Sequence, residues 1–261
     1  MKVRFSLLFI FLFNALLVDS QEIFIPTIKT TTGFSSGENL SYQIRYGFLV
    51  GGTTTVSLSD SVYNKKEVFH AVAIAQTTGM AEVIYGIKDV YQSWFDKKTN
   101  LSYKQIRDIK EGSYTQYNEV TYNRKNNTVD SKLSGIHHVP AKILDLVTSL
   151  YYIRRMDFSK AKEDDMVLVN IYFPDEVFPF YLRYKGKETI RTKFGKISCL
   201  KISPIVEVGR MFKTPDDVNI WLTDDDQCIP ILIEMDIRIV GKIRLKLMKY
   251  ENVINPLIPE E

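Results

Sequence analysis

Residues 229–247 read IPILIEMDIRIVGKIRLKL, and their period decides the fold class. Ile229, Ile231, Ile233, Met235, Ile237 and Ile239 fall on every second position, the repeat of a strand with one buried face. Gly241 interrupts the run. Ile243, Leu245 and Leu247 resume it with Lys242, Arg244 and Lys246 opposite, so the segment predicts two antiparallel strands joined by a tight turn. The same period recurs outward. Leu40, Tyr42, Ile44, Tyr46 and Phe48 share one face, as do Val167, Val169, Ile171 and Phe173, and again Phe178, Phe180, Leu182 and Tyr184.

Residues 67–76 (EVFHAVAIAQ) are apolar on both faces and suggest a central strand, and Tyr- and Trp-rich runs at 91–95, 101–109 and 114–122 add three more. Two segments break the pattern. Residues 79–87 have room for a turn or two of helix. Residues 140–153 predict the one convincing helix: Pro140 suits a first turn, and Ile143, Leu146, Val147 and Leu150 follow i, i+3, i+4, i+7. About a dozen strands against one helix imply a mainly β fold. A single curved antiparallel sheet or partly closed barrel, with the 140–153 helix packed on or in it, manages the edges of so many strands. Strands apolar on both faces and a charged helix–loop unit argue against an outer-membrane barrel.

Residues 1–20 (MKVRFSLLFIFLFNALLVDS) carry Lys2 and Arg4, an apolar run over 5–13, and small residues ending at Ser20. That order predicts a secretory signal peptide cleaved after Ser20. No Cys follows the site, so a lipid anchor is not expected. The expected organisation is a signal peptide over 1–20, an extended leader over 21–36, a β-rich domain over 37–250 and a tail over 251–261. Without Lys2, Arg4 and Asp19 the formal net charge falls from +3 to +2. Near balance argues against nucleic acid as a partner, which would need clustered excess charge. At 45% hydrophobic and 12% aromatic the composition is that of a globular domain, with no later run apolar enough to span a bilayer as a helix.

Cys199 and Cys228 are the only cysteines. Export makes a disulfide between them a candidate, but a strand stands between theirs, and two separate buried thiols is the competing reading. His70 lies on a strand face with Val68 and Val72, and His137-His138 enters the helix in a loop; neither makes a chelating set. Asp224-Asp225-Asp226 lacks the alternate spacing and turn glycine of a calcium loop and reads as a solvated turn. No nucleophile, zincin or phosphate-loop motif is present. No metal, cofactor or catalytic residue is therefore expected.

Gly37-Glu38-x-Leu40-x-Tyr42 followed by Gly51, and Asp89-x-x-x-Ser93 with Asp96, resemble two blocks of the domain of unknown function 3108 family of exported Gram-negative bacterial proteins. The C-terminal half is similar to it more specifically, in Gly195-x-x-x-Cys199-x-Lys201-Ile202-x-Pro204, Ile220-Trp221-Leu222-Thr223-Asp224-Asp225, Ile229-Pro230-Ile231 and Gly241. The resemblance implies an antiparallel, β-rich, periplasmic envelope protein of undefined activity. At the level of fold it is also similar to periplasmic lipoprotein carriers, which wrap a curved sheet round a helical plug and bind acyl chains. On that analogy Tyr42, Tyr46, Phe48, His70, Trp94, Phe178, Phe180 and Trp221 are candidates to line an apolar cavity, or else are plain core. The leading expectation is a non-enzymatic binder of a lipid-like ligand or envelope protein. A structural or assembly factor without ligand comes second, and an envelope hydrolase third.

Overall fold

The computed structural model describes residues 23–31, 33–209 and 211–260; the signal-peptide and Ser20 cleavage expectations fall outside the described residues. In chain order the elements are β1 (Thr27–Ile28), β2 (Asn39–Tyr46), β3 (Leu49–Tyr63), β4 (Lys66–Thr77), α1 (Met80–Ile84), β5 (Lys88–Asp96), β6 (Ser102–Glu111), β7 (Tyr114–Asn123), β8 (Thr128–Ser131) and β9 (Gly135–His138). There follow α2 (Leu146–Arg154), β10 (Met156–Asp157), β11 (Met166–Tyr172), β12 (Val177–Thr192), β13 (Gly195–Pro204), β14 (Val218–Thr223), β15 (Pro230–Ile237) and β16 (Gly241–Glu251). Fourteen strands form one antiparallel sheet in the order β11 to β16, then β2 to β9, while β1 pairs with β10 apart from it. The fold is mainly β, a single curved antiparallel sheet that is not closed by its ladder.

The β15–β16 hairpin forms as the alternation predicts, with Ile233 opposite Leu245 and Met235 opposite Ile243. The alternation nevertheless overruns the strand: β15 ends at Ile237, and Ile239 stands 84% exposed in the turn. The helix is shorter than 140–153. Residues 140–145 are not helical, because Leu144 instead bridges Ile171 of β11, and Asp145 caps the helix by accepting from the Thr148 amide at 2.9 Å. His137 and His138 lie in β9, opposite Val129 and Thr128, and not in a loop. A period-2 signal over four residues is too short to read in a sequence.

The two free edges of the sheet, β11 and β9, come round to meet through side chains. Tyr172 of β11 is buried with Val120, Tyr122 and Val129 of β7 and β8, and with Val139 and Ile143. Asp175, beyond β11, accepts from Ser131 Oγ at 2.6 Å and Asn118 Nδ2 at 3.0 Å. Residues 24 and 144 hydrogen-bond along β11 itself, which removes it as a bare edge.

Helix α2 crosses the inside of this sheet near one end. Its N-terminus is pinned where Ser93 of β5 donates to Asp145 at 2.5 Å. Its C-terminus is pinned by Arg154, fully buried, which makes a two-pronged pair with Glu38 at 2.6 and 2.8 Å. The guanidinium also donates to the carbonyls of Gln227 (3.0 Å) and Gly33 (3.1 Å) and lies over the Phe34 ring. A buried charge is tolerated only with its donors satisfied in this way. Gly33 is required there: a Cβ would meet the Asp226 carbonyl at 2.3 Å.

Candidate functional site

Between α2 and the sheet lies a partly open cavity of about 140 Å³ whose wall is almost wholly apolar. From the helix come Leu146, Val147, Leu150 and Ile153. Facing them across the space are Phe180, Ile220, Ile233, Met235 and Leu245 from the C-terminal strands. Ala73 and Ala75 of β4 supply the third wall, and their small side chains leave room that a Val or Leu would fill. The helix packs against β4, β5 and β11, so its other flank is left facing β14–β16 across the gap. Polar groups in the wall are few. Tyr42 Oη donates to the Pro230 carbonyl at 3.0 Å and Ser149 Oγ to the Leu146 carbonyl at 2.7 Å. Thr54 Oγ1 is buried in the wall with no partner among the described residues.

Of the eight aromatic and His candidates, the structure brings Tyr42 and Phe180 to this cavity. Phe178 lies on the same strand in the filled core. His70 and Trp94 are on the convex side, stacked on one another at 4.1 Å, with His70 Nε2 3.1 Å from Gln92 Oε1. Burial lowers the His70 pKa, and the Gln92 contact opposes it. Trp221 is also on the convex side, donating from Nε1 to Glu188 at 2.8 Å beneath the Lys201 ammonium. Tyr46 (52% exposed) and Phe48 (83%) stand at the β2–β3 turn, outside the cavity. Phe178 and Trp221 fall under the plain-core alternative, whereas Tyr46, Phe48, His70 and Trp94 depart from the cavity expectation because the curl of the sheet decides which face is inside, and a period-2 pattern names two faces without saying which is concave. What sequence reasoning missed is the pair Ala73 and Ala75. The small residues in EVFHAVAIAQ were the available signal.

Cys199 and Cys228 are free, separately buried thiols, so the candidate disulfide is corrected. Strand β14 runs between them, and each sulfur donates to a nearby carbonyl, of Ile197 and of Asp225. Burial, with the charges of Asp224 and Asp225 behind it, pushes the Cys199 thiol up to about 12. The triple-Asp segment is the β14–β15 turn: Asp225 Oδ1 accepts from Thr223 Oγ1 and from the amides of Gln227 and Cys228. Ser134, His137 and Asp175 come nearest to nucleophile chemistry. Ser134 Oγ lies 2.9 Å from Asp175 Oδ1 and 2.9 Å from His137 Nε2, on an exposed part of the surface.

A family model described as protein of unknown function (DUF3108) matches residues 41–248. A crystal structure of a β-barrel-like protein of domain of unknown function DUF1849 from Brucella abortus is similar in fold. Its TM-score is 0.53 at 8% sequence identity, covering 86% of this chain and 99% of that one. No curated protein matches the chain.

Proposed function

The chain belongs to the DUF3108 family of proteins of unknown function, and from that premise we propose that it is an exported, non-enzymatic binding protein that holds a small apolar ligand between α2 and the sheet. The cavity carries this reading. It is apolar, partly open and walled by elements pinned at both helix ends. At about 140 Å³ it is well below the roughly 300–1,000 Å³ of drug-sized pockets and close to the ~150 Å³ apolar cavity that accepts benzene. The occupant is therefore a single ring or a short run of methylenes, such as the end of an acyl chain, and not a whole lipid. The unpartnered Thr54 hydroxyl supplies one hydrogen bond to orient it. The apolar order of residues 1–20 supports export, and the periplasm is the proposed location.

Native mass spectrometry of protein purified from its own host, followed by organic extraction, tests this. A co-purifying small apolar molecule is expected, and Ala73→Phe, which places a ring in the cavity, is expected to abolish it while leaving the β-rich circular dichroism intact. Ligand-free wild-type protein that also shows no saturable uptake of decanoic acid would sink the reading.

A further inference from the structure

We propose that the end of the sheet remote from α2 docks on an anionic lipid surface through an apolar rim built from three turns. The β2–β3 turn presents Phe48 (83% exposed) and Leu49, α1 presents Met80, Val83 (86%) and Ile84 (77%), and the β15–β16 turn presents Ile239 (84%). These tips adjoin one another. Strand β16 pairs with β2 and brings Gly241 against the Tyr46 ring, while the Thr78 amide donates to the Gly51 carbonyl at 3.1 Å and sets α1 beside β3. The turns at the other end are built differently: Asn64-Lys65, Lys97-Lys98-Thr99 and Arg124-Lys125-Asn126-Asn127 are polar or charged. Val62 (67%) and Ile258 (80%) are exposed apolar residues away from the rim, but several large apolar side chains gathered on adjoining turns are not ordinary on a soluble surface.

Charge says what covers the rim. Each apolar tip carries a cation with no ion-pair partner among the described residues: Arg45 behind Phe48, Lys88 beyond α1, and Arg238 beside Ile239. Arg45 is held in place by donating to the Phe48 carbonyl at 2.8 Å and Arg238 by donating to the Gly209 carbonyl at 2.9 Å. Residues 45–50, 78–88 and 238–240 together hold these three cations and one carboxylate, Glu82. Apolar side chains ringed by cations match the acyl boundary and anionic headgroups of a lipid leaflet. Separate turn tips also suit a fluid surface better than a rigid protein face, which must be complementary in shape. The rim does not depend on the cavity being occupied.

The test is co-sedimentation of the protein with phosphatidylcholine vesicles containing about 30% phosphatidylglycerol, and with phosphatidylcholine alone. Wild type is expected to pellet with the mixed vesicles, less so as salt rises. Phe48→Ser/Leu49→Ser and Val83→Ser/Ile84→Ser are expected to weaken partitioning about tenfold or more, and Lys88→Gln or Arg238→Gln about fivefold each on the anionic vesicles. Val62→Ser, an exposed apolar position (67%) at the opposite end, is expected to change nothing. Ala73→Phe is expected to keep vesicle binding, so loss of the cavity ligand and loss of docking are separate results. Rim variants that pellet like wild type, or a wild type that ignores both vesicles, would overturn the proposal. So would self-association of wild type abolished by the rim variants without vesicle binding, because that assigns the rim to a second copy.

Discussion

Asp89 shows at a single residue how burial sets chemistry. It is fully buried in β5 beside Glu111, with Oδ1 accepting from the Lys110 amide at 3.1 Å. Burial raises its carboxyl from 3.8 to about 7, the Lys110 amide opposes this, and the Glu111 carboxyl adds to the rise. The folded protein thus holds this proton more tightly than the unfolded chain does. The stability tied to the proton is full below about pH 4 and is lost as the pH rises through about 7. Urea unfolding is expected to show wild type losing about 2–4 kcal/mol between pH 5 and pH 8.5, at roughly 1.4 kcal/mol per unit, and Asp89→Asn losing much less. Equal slopes for the two proteins would refute the assignment. The resemblance picked out Asp89, Ser93 and Glu38 as motif positions without roles. Ser93 and Glu38 prove to be the partners of Asp145 and Arg154, 52 and 116 residues away, and a lone sequence carries no sign of such distances.

Among the elements, α2 depends most on its first residue. The Asp145 carboxylate accepts from the Thr148 amide, from Thr148 Oγ1 at 2.7 Å and from Ser93 Oγ, while its own amide donates to Ser102 Oγ at 3.0 Å. Asp145→Ala removes a helix cap and the acceptor of two buried hydroxyls, Ser93 Oγ and Thr148 Oγ1, leaving them only each other at 2.6 Å. A loss of about 2–4 kcal/mol is expected in chemical denaturation, beyond the ~1 kcal/mol of an ordinary cap. A loss under 1 kcal/mol would mean that the hydroxyls find other partners. The period of 3.6 located this helix, but placed its start near Pro140, because the segment over 140–145 is drawn off into a bridge with β11. Strand boundaries shifted for the opposite reason. The apolar alternation runs through Phe48 and Ile239 although the ladder stops before them, and those overruns are the residues of the exposed rim.

Closure belongs to the molecule as a whole. The sheet meets itself between β11 and the β7–β9 edge through one apolar cluster and the Asp175 carboxylate, with no backbone ladder among the described residues. Asp175→Ala is expected to raise amide hydrogen exchange in β7, β8 and β9 while leaving β13 to β16 protected, since local opening follows the loss of local contacts. A uniform rise across the sheet would instead show that the seam and the rest of the sheet open together. The seam also bounds the cavity reading. A ligand site of fixed shape needs both sheet ends held, and α2, pinned by Asp145 at one end and Arg154 at the other, crosses the space that the seam closes.

From its own residues the chain determined the strands, their antiparallel order and the presence of one amphipathic helix. These follow from the spacing of apolar side chains along a local backbone, which a sequence carries in full. It also held the family pattern, in short runs such as Ile220 to Asp225 and Ile229-Pro230-Ile231. Only the tertiary structure decided which face of the sheet is concave. That one choice put His70 and Trp94 on the convex face and set two alanines of β4 against the helix to leave a cavity. The direction of curl comes from contacts between residues far apart in the chain, so no local period records it.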